Sequence, residues 1–338
     1  MLAALPGMAD TRLEGVAQAL SIAVRGGLDA QLVDHLAKGV QPMALLRVLA
    51  DRCVDPSGAI DESLRSTDPQ LQRVAVSALR HADRARYLAW TEHAATSAEP
   101  TLAAAALPAA LALGSQTIWP VVVRQADRDT MLYSALLGDD AQTQSLCALL
   151  DDEARRADAL WALGFSGRVE AVDACVRWLG DPDVGRLAGE AFAGITGVDR
   201  EDSELWISDE REPAPDEAGG DEPLPDLDED LDTDLLGDPA DDLPRPNPET
   251  LAAWWHGRRA AFATGRRYVE GQPVSGGGLL HGLRVAPSRR RHALALELLV
   301  RTRGRVVVPT RMLTAAQYPR LTAAANVPIE GDRPYPRL

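Results

Sequence analysis

The sequence predicts an all-α protein built from stacked pairs of helices. Ala, Leu and Arg dominate the 338 residues, whereas aromatic residues make up only 4%. Residues that favour strands are also sparse, which disfavours a large β-sandwich or β-barrel. An acidic residue, often followed by proline, recurs ahead of segments rich in Ala and Leu. These three observations together favour a repeat array of helices.

The recurring acidic residues mark the starts of the predicted helices. They occur at four places: Asp68-Pro69, Glu99-Pro100, Asp151-Asp152 and Asp181-Pro182. A carboxylate there accepts hydrogen bonds from the free amides of the first turn, and proline is tolerated at the first helical position. The successive spacings are 31 residues from Asp68 to Glu99, 53 from Glu99 to Asp152 and 29 from Asp152 to Asp181. The longest contains Asp127-Arg128-Asp129 near its middle. A period near 30 predicts a stacked array of helix pairs.

Apolar stripes with helical spacing follow these starts. The stripe after Asp68-Pro69 contains Leu71, Val74, Ala75, Ala78 and Leu79. The stripe after Asp181-Pro182 contains Val184, Leu187, Ala188, Ala191, Phe192 and Ile195. Each stripe covers one face of a helix, which must be buried against a neighbour. Gly164 and Gly197 are predicted to end the helices that begin after Asp152 and Asp181.

Charge divides the chain into three parts. Residues 199–242 hold 20 acidic and 2 basic side chains, and residues 243–338 hold 16 basic and 5 acidic ones. We therefore predict a helical repeat domain over 1–198, an acidic linker or loop containing Pro and Gly over 199–246, and a mainly helical module over 247–338. The acidic segment has too little apolar surface to offset its ordering entropy. Two alternatives stay open for it, namely contact with the basic C-terminal part and competition with nucleic acid for a basic partner.

Helices also dominate the predicted C-terminal module. Pro248 opens a helix that carries Trp254 and Trp255, of which one is expected to be partly exposed. Residues 268–273 are predicted to be extended or turning, and Ser275-Gly276 begins another helix. A further helix covers 293–300, after the arginines at 289–291.

No motif indicates catalysis, a cofactor or a metal site. The six histidines form no metal-ligand pattern, and Cys53, Cys147 and Cys175 lie in no activating context. The acidic run 226–234 lacks the Gly and Glu that a calcium loop of the EF-hand type requires, and the glycines of 275–278 do not follow a strand as a phosphate loop does. The chain is therefore predicted not to be an enzyme.

Membrane and nucleic-acid partners are not expected either. The longest apolar stretch, Thr101 to Leu113, is too short to cross a bilayer and predicts a buried helix. The first ten residues lack the features of a secretory signal, so a cytoplasmic location is expected. The arginines of the C-terminal part (258, 259, 266, 267, 289, 290 and 291) are interpreted as solvated helix faces, and the net charge of −15 opposes nucleic-acid binding.

Three runs resemble a known family. They are 188–197 (AGEAFAGITG), 248–256 (PETLAAWWH) and 265–273 (GRRYVEGQP). Together with the repeat pattern, they are similar to a bacterial family of HEAT-like proteins encoded near type VI secretion genes, over most of residues 60–310. The resemblance implies a HEAT-like helical repeat solenoid, and it implies that some members are immunity proteins for secreted effectors.

These expectations point to a protein that binds another protein. The resemblance implies a cytoplasmic immunity protein that binds and neutralises an effector toxin, for example a nuclease whose basic surface would attract an acidic partner. The alternative is an adaptor that assists the loading of an effector on the secretion machinery. The predicted partner-binding residues are Asp151, Asp152, Asp181, Asp183, Glu204, Trp206, Asp209 and Glu210. Helix capping is the competing role for Asp181.

Overall fold

The computed structural model describes residues 5, 8, 10–207, 240, 242–325 and 327–338. The described part is all-α in character and contains 17 α-helices with two short two-stranded sheets. The helices of the N-terminal two-thirds are α1 (Asp10–Ile22), α2 (Leu28–Ala37), α3 (Pro42–Asp51), α4 (Asp61–Leu64), α5 (Pro69–Ala78), α6 (Arg84–Ala95), α7 (Pro100–Ala112), α8 (Trp119–Arg124), α9 (Arg128–Leu137), α10 (Asp140–Ala148), α11 (Glu153–Ser166), α12 (Val169–Val176) and α13 (Gly185–Thr196).

The C-terminal part continues the helical pattern. Its helices are α14 (Pro248–Arg258), α15 (Gly276–Val285), α16 (Ser288–Arg301) and α17 (Thr314–Ala324). The strands are β1 (Trp206–Ile207), β2 (Arg245–Pro246), β3 (Tyr268–Val269) and β4 (Gln272–Pro273). Strand β1 pairs with β2 and β3 pairs with β4, both antiparallel. The extended segment expected at 268–273 is therefore confirmed as a hairpin.

Acidic caps start α5, α7 and α11 where the sequence predicts them, whereas α13 begins at Gly185, three residues after Pro182. The side chain of Asp68 accepts a hydrogen bond from the amide of Gln70 at the start of α5. Glu99 and Asp127 accept amide hydrogen bonds in the same way at the starts of α7 and α9. Pro69 and Pro100 occupy the first helical positions. These caps satisfy amides that the helix cannot pair internally.

One of the two predicted helix ends differs in the structure. Helix α11 does not end at Gly164 but continues to Ser166, because Gly167 adopts the left-handed conformation that ends a helix (φ 70°). Gly164 serves packing instead, since its backbone lies against Ala191 of α13. Gly197 ends α13 as predicted, with φ 67°.

The helices pack in two successive stacks. Helix α1 packs on α3, α3 on α5, and α5 on α7, while further along the chain α9 packs on α11 and α11 on α13. Helices α11 and α13 run in the same direction, because amides of one short segment, residues 268–271, donate to carbonyls at the C-terminal ends of both helices. Helix α16 contacts both α7 and α9 and so joins the two stacks. One hydrophobic core includes buried residues from every part of the described chain.

The ends of the predicted acidic linker are ordered. Strands β1 and β2 come from its two described ends and lie on α13, where the ring of Trp206 and Pro246 pack against Gly189. Residues 208–239 and 241 lie outside the described part of the chain, so the alternatives for the acidic segment stay predictions.

Removing an acidic cap will destabilise the fold. Asp127→Ala leaves the first-turn amides of Asp129 and Thr130 without their acceptor, so we expect the free energy of unfolding to fall by about 1 kcal/mol. Urea unfolding followed by circular dichroism measures this. Asp127→Asn keeps a capping oxygen and should remain within a few tenths of a kcal/mol of the native chain; an equal loss in both variants would contradict the capping role.

Candidate functional site

The predicted binding residues Asp151, Asp152, Asp181 and Asp183 lie at the N-terminal ends of α11 and α13; we call these four residues the acidic edge. The two helices run in the same direction, so their starts lie at the same end of the stack. Arg177, which follows α12, approaches Asp151 to 3.7 Å and thereby ties the loop before α13 to the start of α11. The structure thus places these four aspartates in one region of the surface.

Asp151 and Asp152 differ in the hydrogen bonds and ion pairs that their carboxylates form. The Asp151 side chain is 79% exposed, and its ion-pair partner among the described residues is Arg177, 3.7 Å away. Asp152 caps α11 through the amide of Ala154 and pairs with Arg155 at 3.3 Å. Asp152 is therefore fixed in position, whereas Asp151 keeps most of its charge directed at solvent.

Asp181 has the capping role that the sequence analysis weighed against partner binding. Its carboxylate accepts hydrogen bonds from the amides of Asp183 (3.0 Å) and Val184 (3.1 Å). Asp183 itself is exposed. The capped turn therefore presents the Asp183 carboxylate from a rigid backbone.

Glu204 and Trp206 lie in the segment that follows α13, and the ring of Trp206 packs against Gly189 in the middle of that helix. Glu204 is exposed, and its carbonyl accepts a hydrogen bond from Thr250 at the start of α14. Trp206 is only 6% exposed, and its indole N–H donates to the carbonyl of Asp199 at 2.8 Å. Trp206 is therefore occupied by its own chain, which leaves little of the ring for another molecule. Asp209 and Glu210 lie outside the described residues.

An arginine–tryptophan contact at the same end was not found by sequence reasoning. The guanidinium of Arg156 lies 4.1 Å from the ring centre of Trp178, and its Nε donates to the carbonyl of Leu150 at 2.8 Å. Trp178 directly precedes the turn that holds Asp181. This cation–π contact connects the starts of α11 and α13 and stiffens the acidic edge.

At the C-terminal ends of the stacked helices, opposite the acidic edge, buried arginines donate hydrogen bonds to backbone carbonyls. Arg267 donates to the carbonyls of Phe165 and Ser166 at the end of α11. Arg290 donates to the carbonyl of Gly164 at 2.6 Å, and Arg301 donates to Leu136 at the end of α9. Such carbonyls have no partner within their own helix, and the end of a helix attracts positive charge.

This finding corrects the interpretation of two arginines as solvated. Arg267 and Arg290 are each 1% exposed and are among the largest fully buried side chains of the protein. The prediction failed because the carbonyls that accept from them are brought together only by the fold. The one available signal was the GRRYVEGQP run, whose significance came from the resemblance and not from its charge pattern.

Three buried glutamates balance these arginines. Glu297 pairs with Arg267 at 2.5 Å and with Arg301 at 2.7 Å. Glu190 pairs with Arg200 at 3.3 Å and with Arg289 at 3.1 Å, and Glu270 pairs with Arg200 at 2.9 Å. We call these side chains, with Arg290, the buried ion network.

The network changes the acidity of its glutamates. Burial by itself raises the pKa of Glu190, but the charges of Arg290 and Arg200 outweigh it, so the pKa is lowered overall. For Glu297, the charges of Arg267 and Arg301 likewise outweigh the effect of burial. Both side chains are therefore held as carboxylates.

The cysteine thiols are not activated, and the described residues form no cluster suited to a metal ion. Burial raises the pKa of Cys53 and of Cys147 to about 11 and raises that of Cys175 further, so the thiols stay protonated at neutral pH. Across the described ranges, no group of three or more His, Cys, Asp or Glu side chains is placed to hold a metal ion. In the same part of the chain, every helix is too short or too polar to cross a bilayer.

Comparison with known proteins gives no match. No family model, no curated protein and no solved structure corresponds to this chain. The HEAT-like resemblance of the three sequence runs therefore stays a prediction.

Acid will destabilise the protein through the buried ion network. The pKa of Glu297 in the folded chain lies below that of an unfolded glutamate, roughly 4.3. Its ion pairs therefore contribute stability above that pH, and the contribution is lost as the pH falls through the lower folded value. At pH 7, Glu297→Gln should have a lower free energy of unfolding than the native chain. Between about pH 5 and pH 3, that free energy should fall less in the variant than in the native chain. Urea unfolding at each pH measures both.

The exposed Glu249 supplies the control. Glu249→Gln should follow the pH dependence of the native chain. If Glu297→Gln also showed the pH dependence of the native chain, Glu297 would not be the group whose protonation destabilises the protein.

Proposed function

We propose that the chain is a HEAT-like helical repeat protein that binds and neutralises a type VI secretion effector toxin in the cytoplasm. The single observation that supports this most is the acidic edge. It presents carboxylates from helix starts that are fixed by capping hydrogen bonds and by the Arg156–Trp178 contact. Rigid charged groups lose little conformational entropy when a partner binds.

The helical packing supports the repeat interpretation. Helices α9, α11 and α13 pack in succession, and their starts are spaced by 25 and 32 residues. Asp127, Asp152 and Asp181 cap the turns at these starts. A repeat array places equivalent positions side by side, which is how such proteins build extended binding surfaces.

Electrostatic attraction explains how the edge would act on a nuclease toxin. A nuclease presents positive potential to its phosphate substrate, and an acidic partner is drawn to that surface at an increased association rate. Occupation of the surface then excludes the substrate. Arg155 and Arg177 offset part of the edge charge, so the negative potential depends on all four aspartates together.

The experiment replaces these aspartates without removing their caps. Asn retains a capping oxygen and loses the charge, so a variant with Asn at 151, 152, 181 and 183 should fold like the native chain. We expect its association rate with the product of the neighbouring effector gene to fall about tenfold at low salt. Surface plasmon resonance measures the rate, and growth of cells that express the toxin measures protection.

A matched variant removes four exposed charges elsewhere. It carries Glu14→Gln, Asp34→Asn, Glu62→Gln and Glu330→Gln, and it should bind and protect like the native chain. If the native chain gave no protection but changed effector export, the adaptor function would replace the proposed one. Equal binding by both variants would exclude the acidic edge as the contact surface.

A further inference from the structure

A large cavity lies on the side of the molecule where α16 crosses the helix stacks. Its volume is about 800 Å³, which is within the range of small-molecule sites. Helices α3, α5, α7 and α9 form one side, and α16 with residues 307–311 forms the other. The cavity is therefore lined by both halves of the chain and is partly open to solvent.

Small side chains on α7 create this space. Thr101, Ala104, Ala105 and Pro108 line the cavity at intervals of three or four residues, so they share one face of the helix. Larger side chains on that face would close the gap to α16. The C-terminal half of the helix, from Ala106 to Ala112, is buried, so the cavity ends at Pro108 on this helix.

Arginines dominate the charge of the cavity wall. Arg47, Arg73, Arg80 and Arg311 line it, against two carboxylates, Asp51 and Asp129. We call this space the arginine cavity.

Three of these arginines form no ion pair with a carboxylate of the described residues. Arg311 approaches Asp51 at 3.5 Å. For Arg47, Arg73 and Arg80, no described carboxylate lies within 4.0 Å, and their hydrogen bonds go to neutral groups of Met43, Gln70 and Ser77. Arg47 is exposed, and Arg73 and Arg80 are half-buried. The charge of Arg73 contributes to lowering the pKa of Glu99, but no carboxylate ion pair among the described residues neutralises any of the three guanidinium groups. Their charges are therefore available to a ligand.

The pKa of His81 is affected by the same positive charges. Burial, together with the charges of Arg80 and Arg320, lowers the pKa of His81 to about 3. His81 lines the cavity, and among the described residues its buried ring Nδ1 has no hydrogen-bond partner. A neutral imidazole can donate to or accept from a bound molecule.

We propose that the arginine cavity binds a small molecule with two or more anionic groups, either phosphates or carboxylates. Arg73 and Arg80 lie seven residues apart along one face of α5 and its following turn, while Arg47 approaches from α3. Cations from two elements can therefore contact separate anionic groups of one ligand. Guanidinium groups match the geometry of both phosphate and carboxylate. The site is separate from the acidic edge, and the proposal does not depend on the toxin partner.

Isothermal titration calorimetry on the full chain tests the proposal with two probes, inorganic pyrophosphate and citrate. We expect saturable one-to-one binding of at least one probe at 150 mM salt, and the tighter probe identifies phosphate or carboxylate as the preferred group. Arg73→Gln and Arg80→Gln should each weaken binding by about 10-fold to 100-fold. Circular dichroism checks that each variant is folded.

Two further variants distinguish binding in the cavity from non-specific attraction of anions by the positive charge of the protein. Ala104→Phe fills the cavity without changing any charge and should also abolish binding. Arg124→Gln removes an exposed arginine that lies outside the cavity, where its Nε donates to the carbonyl of Pro120, and should bind like the native chain. Absence of saturable binding with both probes, or equal weakening in Arg124→Gln and Arg80→Gln, would overturn the proposal.

Discussion

The architecture depends on how the protein satisfies the ends of its helices. Arg267, Arg290 and Arg301 carry positive charge into the interior to reach carbonyls at the ends of α9 and α11. Burying unpaired charge would cost several kcal/mol, and the glutamates of the buried ion network offset that cost. Removal of one partner from such a pair typically destabilises a protein by about 3–5 kcal/mol. The C-terminal helices are therefore an integral part of the fold.

The β3–β4 hairpin completes this arrangement with backbone groups. The amide of Tyr268 donates to the carbonyl of Gly167, while the amides of Glu270 and Gly271 donate to Gly194 and Ile195. One hairpin thus covers the ends of both α11 and α13 and fixes their relative position. The acidic edge lies at the opposite ends of the same two helices, so the network also determines the spacing of the aspartates that we propose to bind a partner. The arginine cavity likewise depends on the placement of α16.

Local signals in the sequence were sufficient for the helices but not for the contacts between them. The caps at Asp68, Glu99, Asp127 and Asp152 followed from short-range hydrogen bonding, which depends only on neighbouring residues. The burial of Arg290 could not be predicted, because its partners Gly164 and Glu190 are 126 and 100 positions away. The arginine cavity was missed for the same reason, since its walls come from five separate helices. Trp206 was expected to meet a partner, but the unforeseen pairing of β1 with β2 covers it.

The most direct test of the account is hydrogen exchange in a variant that displaces Arg290. An added methyl group in Gly194→Ala would overlap the Arg290 guanidinium, whereas Gly257 has open space around it and Gly257→Ala provides the control. The account predicts that Gly194→Ala loses protection at the distant amide of Tyr268 and along α16 together, while the control keeps native protection. Loss of protection confined to the residues next to position 194 would contradict the claim that the buried ion network unites the fold.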